Sequence, residues 1–86
     1  MKIVFHKNFE KQYAKLSRNF KQKFQEKIVV FLKDPFNPLL NNHVLTGRYG
    51  GYRSINISGD LRAIYKYLPK DIYIFVVIAN HSNLYK

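Results

Sequence analysis

Apolar side chains recur with helical spacing in the first part of the chain and with strand spacing in most of the remainder. A short strand is predicted at Lys2–Phe5, before two amphipathic helices. The first helix is predicted to begin at Asn8 as its cap, and the second at Asn19, which forms a capping box with Gln22. The second helix should end before Pro35, because the residue preceding a proline disfavours helical geometry. Joined by a short break, the two helices should form a hairpin that packs both apolar faces on one sheet.

Three longer strands are predicted in the second half, over residues 52–58, 61–67 and 72–79. Residues 58–60, Ser-Gly-Asp, have the composition of a tight hairpin turn between the first two strands. The third run is continuously apolar, which indicates a central strand covered on both faces. A further edge strand is predicted at 44–46.

These elements predict an α+β fold of two layers. An N-terminal strand and a two-helix hairpin should pack on a mainly antiparallel sheet of four to five strands. A chain of 86 residues has the length of one small domain, and we expect residues 1–86 to form one.

Alternation along the 52–58 strand gives its two faces different chemistry. Arg53 shares one face with Ile55 and Ile57, and Asn56 lies on the opposite face. With a turn near residue 59, Asn56 and Arg62 should lie roughly opposite one another on paired strands, within one or two residues.

The chain is strongly basic, since fifteen Lys and Arg against five Asp and Glu give a formal net charge of +10. Such a field attracts nucleic acid, a ribonucleoprotein, an anionic membrane or an acidic protein, and charge alone does not choose among them. There is no cysteine, which excludes disulfides and thiolate metal sites. No apolar run approaches the roughly 20 residues that span a bilayer. We therefore expect a soluble cytoplasmic protein.

Lysine and arginine are segregated along the chain. Eight of the eleven lysines precede residue 34, whereas three of the four arginines, Arg48, Arg53 and Arg62, lie in the second half. Because arginine suits planar, bidentate recognition of phosphate, this distribution predicts a phosphate-handling site in the second half.

Candidate acid–base side chains lie in the same half. His81 directly follows the predicted central strand, where an imidazole is oriented by rigid backbone and stays exposed. Asp60 lies in the hairpin turn two residues before Arg62, although aspartate also has a purely conformational role in turns. His43 precedes the edge strand, and sequence alone does not place it against the others. Such a set suits metal-independent cleavage of RNA, whose 2′-hydroxyl is an internal nucleophile that needs only a base, an acid and a cation.

Other chemistries lack their motifs. The few acidic residues form no cluster of the kind that a two-metal nuclease needs. The sequence contains no Walker loop, Rossmann glycine pattern, nucleophile elbow or zinc-binding spacing, so neither a metal nor a cofactor is expected. Tyr49, Tyr52 and Tyr85 are candidates for stacking on single-stranded bases, with core packing as the alternative, and Tyr85 is the best candidate.

Four short motifs follow one another in the second half: Leu45-x-Gly47, Gly51-Tyr52-Arg53, Gly59-Asp60-Leu61-Arg62-Ala63-Ile64-Tyr65 and Asn80-His81-Ser82-Asn83-Leu84-Tyr85. In order and spacing they resemble the RelE/ParE superfamily of bacterial toxins, specifically its RelE/StbE and YafQ-like branch. With the N-terminal strand and two basic helices, the resemblance covers essentially the whole chain and implies a RelE-like fold.

The resemblance implies a toxin of a type II toxin–antitoxin pair. Such toxins are endoribonucleases (mRNA interferases) that cut codons in the A site of the 70S ribosome and are neutralised by a small antitoxin. The functional residues of YafQ-like toxins correspond to His43, Asp60 and His81, and in the related YoeB-like branch the strand arginine corresponds to Arg62.

The sequence departs from the YafQ-like pattern at Asn56, where a histidine is usual. An amide cannot exchange a proton near pH 7, so that role is lost or has moved, and Arg62 compensates electrostatically as in the YoeB-like branch.

On this hypothesis His81 is the general acid toward the leaving 5′-oxygen, and Asp60 or His43 is the base or the group that orients it. Arg62 together with Arg53 holds the scissile phosphate. The predicted RNA-binding residues are Arg53, Arg48, Tyr85 and Asn56.

Three other functions remain open. A ParE-like gyrase inhibitor has no nuclease centre, and the set His43, Asp60 and His81 favours RNA cleavage over it. A non-catalytic basic module would bind RNA, ribosomes or an antitoxin without producing new RNA ends, and an inactive toxin remnant would retain antitoxin binding alone. The antitoxin should be acidic in its toxin-binding segment, and the toxin is expected as a monomer or in a heteromeric complex with it.

Overall fold

The computed structural model describes residues 1–84. Its strands are β1 (Lys2–Phe5), β2 (His43–Val44), β3 (Arg53–Ser58), β4 (Leu61–Leu68) and β5 (Ile72–Asn80), and its helices are α1 (Lys7–Ala14), α2 (Arg18–Lys33) and α3 (His81–Leu84). Two short 3₁₀ turns, Pro38–Leu40 and Gly47–Tyr49, lie in the loops on either side of β2. The predicted strands and the two long helices are therefore present, with boundaries that differ by one or two residues.

The strands of residues 1–84 form one sheet in the order β1-β5-β4-β3-β2. β1 runs parallel to β5, with Ile3 beside Tyr73, and all other neighbours in the sheet are antiparallel. This confirms the predicted α+β fold. β1 stops beside Phe75, and α1 flanks the rest of β5, where Ile78 N–H donates to Gln12 Oε1 at 2.9 Å.

Both long helices pack on one side of the sheet, here called the helix face. Phe9 of α1 and Phe24 and Phe31 of α2 are buried against Ile55 and Phe75. The rings of Phe31 and Phe75 have centroids 5.4 Å apart in an edge-on arrangement, which favours aromatic pairs. The main core therefore lies between the helices and the three central strands.

The opposite side of the sheet, here called the open face, has a smaller apolar cluster of Leu45, Ile64, Val77 and Leu84. Leu84 belongs to α3, a single helical turn that the sequence pattern did not predict, and only 4% of its surface is exposed. Since α1 and α2 lie on the other side, polar side chains of β3 and β4 are accessible on this face.

The helix caps differ from those predicted. α1 begins at Lys7, and its cap is His6, whose Nδ1 accepts a hydrogen bond from Asn8 N–H at 3.1 Å. α2 is capped by Ser17, whose Oγ accepts from Phe20 N–H at 3.2 Å. The predicted caps Asn8 and Asn19 were wrong because each lies inside the first turn of its helix, next to another side chain that caps it.

The β4–β5 hairpin turn is held by the start of the chain. Lys70 and Asp71 both have left-handed backbone conformations, with φ of 67° and 60°. The Met1 amine lies 3.0 Å from Asp71 Oδ2, and Lys2 N–H donates to Asp71 O at 3.0 Å. The hydrogen bond from this amine lowers the pKa of Asp71 below its ordinary value of 3.8. β1 is thus tied to β5 by its first residues as well as by its ladder.

Within residues 1–84, no helix combines the length and the apolar character that crossing a membrane requires.

Candidate active site

The β3–β4 hairpin brings the predicted polar pair together on the open face. Asn56 lies directly opposite Arg62, and Arg62 lies opposite Ala79 on β5. Ala79 and Ile64, which flank Arg62, both pack with the open-face cluster. The predicted register is therefore confirmed, and Arg62 lies on the open face of the central strand β4, next to the β3–β4 turn.

Hydrogen bonds to the hairpin turn hold the Arg62 side chain. Its Nη1 donates to Gly59 O at 2.5 Å and to Leu61 O at 3.3 Å. Gly59 has φ +50°, a left-handed conformation that glycine adopts without steric cost. The guanidinium therefore lies beside Asp60, which directly follows Gly59. Across the hairpin, Asn56 Oδ1 is buried without a hydrogen-bond partner among residues 1–84.

Asp60 and His81 meet at the end of β5. His81 N–H donates to Asp60 O at 2.7 Å, and the Ser82 hydroxyl donates to Asp60 Oδ2 at 3.4 Å. Both Asp60 and His81 are exposed. Because His81 begins α3 two residues after Ala79, the imidazole and the carboxylate lie at the same corner of the sheet as Arg62.

His43 occupies an open-face position on the other side of Arg62. It pairs with Ser54 on β3, and Ser54 in turn pairs with Ile64 on β4. Its Nδ1 lies 2.8 Å from Asn41 O. A carbonyl oxygen only accepts, so Nδ1 carries the hydrogen and the neutral ring keeps an unprotonated Nε2. At about 4.8 Å per strand, His43 lies three strand spacings, roughly 14 Å, across the sheet from β5 and the start of α3.

Arg53 does not lie with Arg62, Asp60, His81 and His43 on the open face. The prediction that Arg53 and Arg62 bind the same phosphate is therefore wrong. Arg53 pairs with Tyr65, whose ring belongs to the helix-face core. Its Nε donates to Asn42 Oδ1 at 2.8 Å, and its guanidinium lies 5.1 Å from the centre of the Phe36 ring. Alternation along β3 puts Arg53 and Asn56 on opposite faces, and Asn56 is the residue that faces Arg62.

Aromatic and cationic side chains extend the open face toward β1. Arg48 lies 5.7 Å from the centre of the Tyr49 ring, and Lys66 lies 5.3 Å from that of Tyr52. Tyr49 and Tyr52 are half-buried, and their ring centroids lie 6.3 Å apart in an edge-on arrangement. Part of the surface of each ring is therefore used for packing inside the protein. A groove of about 400 Å³ lies beside them, bounded on its far side by His6, Asn8 and Val76. The predicted stacking residue Tyr85 lies outside the described residues.

Sequence reasoning missed two polar members of this surface. Lys66 reaches the open face because it follows Arg62 and Ile64 at two-residue steps along β4, and that alternation was visible in the sequence. Ser82 is held against Asp60 only because α3 turns back at His81, and no sequence pattern indicates that turn. Among residues 1–84, no three His, Asp or Glu side chains are grouped so as to hold a metal ion.

Comparison with protein families identifies one match. The family described as "Bacterial toxin of type II toxin-antitoxin system, YafQ" matches residues 1–86. A comparison with curated protein sequences found no significant match.

Solved structures with the same fold include a toxin from Helicobacter pylori and YafQ from E. coli. A metal-bound toxin from Helicobacter pylori is 27% identical, with 99% of each chain covered and a TM-score of 0.78. YafQ from E. coli strain BL21(DE3) is 21% identical, with 98% of this chain and 97% of that chain covered and a TM-score of 0.77. YafQ in the E. coli DinJ–YafQ complex is 22% identical over the same shares, with a TM-score of 0.69.

Proposed function

Because the chain belongs to the YafQ family of bacterial type II toxins, we propose that it is a metal-independent endoribonuclease that cleaves mRNA in the A site of the ribosome. A cognate acidic antitoxin neutralises it. The substrate binds on the open face of the sheet, and the reaction uses His43, Arg62, Asp60 and His81.

The position of Arg62 is the observation that carries this proposal. It lies on β4, the strand in the centre of the sheet. His43 lies to one side, on β2, and His81 lies to the other side, at the end of β5, where its N–H bonds to Asp60 O. A phosphodiester held over Arg62 therefore has an imidazole on each side. This arrangement suits in-line displacement, because the attacking and leaving oxygens lie on opposite sides of phosphorus.

Each residue then has one task in the reaction. His43 Nε2 takes the proton of the 2′-hydroxyl as the 2′-oxygen forms a bond to phosphorus. The bond from phosphorus to the 5′-oxygen breaks, and the imidazolium of His81 donates a proton to that oxygen. Arg62 stabilises the negative charge that builds up on the phosphate oxygens. The products are a 2′,3′-cyclic phosphate and a 5′-hydroxyl.

Asp60 and Asn56 act as positioning residues. The Asp60 carbonyl accepts from His81 N–H and so fixes the start of α3 beside the phosphate. Within residues 1–84, Asn56 Oδ1 is an acceptor without a hydrogen-bond partner, and Asn56 pairs with Arg62 across the ladder. It is placed to accept an Arg62 N–H when the guanidinium leaves the Gly59 carbonyl for a phosphate.

Two further observations support the choice of partners. The net charge of +10 suits both the ribosome and an acidic antitoxin. Similar YafQ toxins of E. coli are found in toxin–antitoxin complexes with DinJ.

The proposal is tested by cleavage of mRNA on programmed ribosomes, with new 5′ ends mapped by primer extension. His81→Gln should lower the single-turnover rate by about 10²–10⁴, because general acid catalysis contributes that much. Arg62→Gln should lower it by about 10²–10³, the usual cost of losing one donor to a charged transition state.

Arg18→Gln is the matched control, since it removes an exposed arginine at the start of α2, and its rate should equal that of the wild type. A wild-type protein that leaves ribosome-bound mRNA intact but blocks supercoiling by purified gyrase would contradict the nuclease and support the ParE-like alternative. Full activity in a folded His81→Gln protein would refute the assigned acid.

A further inference from the structure

A second built site lies on the helix face, behind the sheet from Arg62. A cavity of about 440 Å³ is lined by Phe36, Val44, Arg53, Tyr65, Tyr67 and Tyr73. Of the described residues, one cationic side chain lines it, Arg53, in aromatic and aliphatic surroundings. We call it the Arg53 pocket.

The guanidinium in this pocket is held in place before any ligand arrives. Arg53 Nε–H donates to Asn42 Oδ1 at 2.8 Å, and Asn42 Nδ2 donates in turn to the Tyr65 hydroxyl at 2.7 Å and to Pro35 O at 2.8 Å. Phe36 covers one side of the guanidinium plane. Burial raises the pKa of Tyr65 above 10, so its hydroxyl stays protonated and offers no counter-charge.

Arg53 also lacks an acidic partner within the described part of the chain. The ion pairs found in residues 1–84 are Met1 with Asp71 and Lys23 with Glu26. A half-buried guanidinium with several N–H donors and no carboxylate is a strong site for a bidentate anion.

The rim of the pocket is apolar and unusually exposed. Phe36 is 61% exposed, Val44 54% and Tyr67 53%. Exposed apolar side chains around a central arginine and tyrosines have the composition of a protein–protein hot spot. Nucleic acid instead needs several cations along a phosphate chain, and residues 1–84 provide one to this pocket.

We propose that the Arg53 pocket is the anchor for the antitoxin, and that it takes a carboxylate side chain flanked by apolar residues from the antitoxin's toxin-binding segment. The proposal rests on the chain being a toxin with an antitoxin. In this arrangement the antitoxin binds the helix face, opposite the proposed catalytic site. This contact alone therefore leaves the open face uncovered.

The test is calorimetric binding of the antitoxin encoded beside the toxin gene to purified toxin variants. Arg53→Gln removes the charge, and Phe36→Ala trims a mostly exposed rim residue without disturbing the core. Each should weaken binding at least tenfold, and each should cleave ribosome-bound mRNA within twofold of the wild type. Arg18→Gln, another arginine of the chain, should change neither quantity.

Hydrogen exchange of the wild-type complex gives an independent readout, with expected protection of residues 36–44 and 51–53. Unchanged antitoxin binding in both variants would overturn the proposal. So would a loss of mRNA cleavage in Arg53→Gln as large as that in Arg62→Gln, because the pocket would then serve RNA. If Arg53→Gln fails to fold, antitoxin binding by Phe36→Ala tests the proposal instead. Binding is measured without any nuclease assay, so a failure of the proposed function would appear separately, as intact mRNA with the wild-type protein.

Discussion

At the scale of single residues, one backbone carbonyl decides which ring nitrogen of His43 is available for chemistry. Asn41 O lies 2.8 Å from Nδ1 and can only accept, so Nε2 is left with its lone pair. The same loop thereby orients the ring and fixes its tautomer. In the proposed mechanism, His43 therefore acts as a base without a titrating partner, which suits a site where Asn56 cannot exchange protons.

Replacing His43 with glutamine should lower the single-turnover rate of mRNA cleavage by about 10²–10⁴, because the amide cannot accept the 2′-hydroxyl proton. The tautomer is checked separately by ¹⁵N NMR of the wild type, which should show a protonated Nδ1 and an unprotonated Nε2 in the neutral ring. A proton on Nε2 would contradict the assignment of His43 as base even if the variant were slow.

The face and register of residues on the sheet could largely be predicted from the sequence. Which of these residues lie together in one site was harder to predict. Alternation correctly separated Arg53 from Asn56, and the hairpin turn correctly set Asn56 opposite Arg62. Taken together, these two predictions already excluded Arg53 from the Arg62 site. The error was to group arginines by proximity in sequence, whereas a strand sends adjacent side chains to opposite faces.

At the scale of elements, the second helix depends on a cap that is easily misassigned. Ser17 and Asn19 are both good caps by residue type, and the hydrogen bond from Phe20 N–H to Ser17 Oγ decides between them. Asn19 lies inside the first turn of α2 and is exposed.

Ser17→Ala should therefore destabilise the protein by about 1 kcal/mol, the usual cost of losing an N-cap hydrogen bond. Asn19→Ala is the matched control and should stay within about 0.5 kcal/mol of the wild type, as most exposed substitutions do. Urea unfolding followed by circular dichroism measures both. A larger loss for Asn19→Ala than for Ser17→Ala would mean that α2 starts later than residue 18.

Long periodic elements were predicted well because each carries its own pattern, as Phe24 and Phe31 do for α2. α3 was not predicted, since four residues hold too little periodicity to identify a helix. It forms because Leu84 is buried against Leu45 and Ile64, a contact between distant parts of the chain. The positions of His81 and Ser82 beside Asp60 depend on this helical turn. Local sequence patterns therefore could not predict them.

At the scale of the whole molecule, the first residue and the last hairpin are joined by an ion pair whose strength depends on pH. Asp71 has a lower pKa in the folded protein than in the unfolded chain, chiefly because the Met1 amine donates to its carboxylate. A group of this kind stabilises the fold above its unfolded value of about 3.8, and the contribution is lost as the pH falls through that value toward the folded one.

Asp71→Asn should therefore lower the urea midpoint at pH 7, and its difference from the wild type should shrink between pH 5 and pH 3. Asparagine tolerates the left-handed backbone of this position, so the change isolates the charge. Glu26→Gln, which removes an exposed pair with Lys23, should leave the pH profile of the wild type almost unchanged. An Asp71→Asn difference that stayed constant with pH would contradict the role of the ion pair.

The parallel pairing of β1 with β5 also has a consequence for how such a toxin is made. β1 leaves the ribosome well before its ladder partner β5, since Lys2 pairs with Ile72. Nascent chains fold as their contacts become available, and contacts between distant segments form late. The β1 edge of the sheet therefore closes only once Ile72–Asn80 has emerged, with His81 directly behind it. On the proposed function, a nascent chain therefore has no complete active site before β5 and His81 have been synthesised.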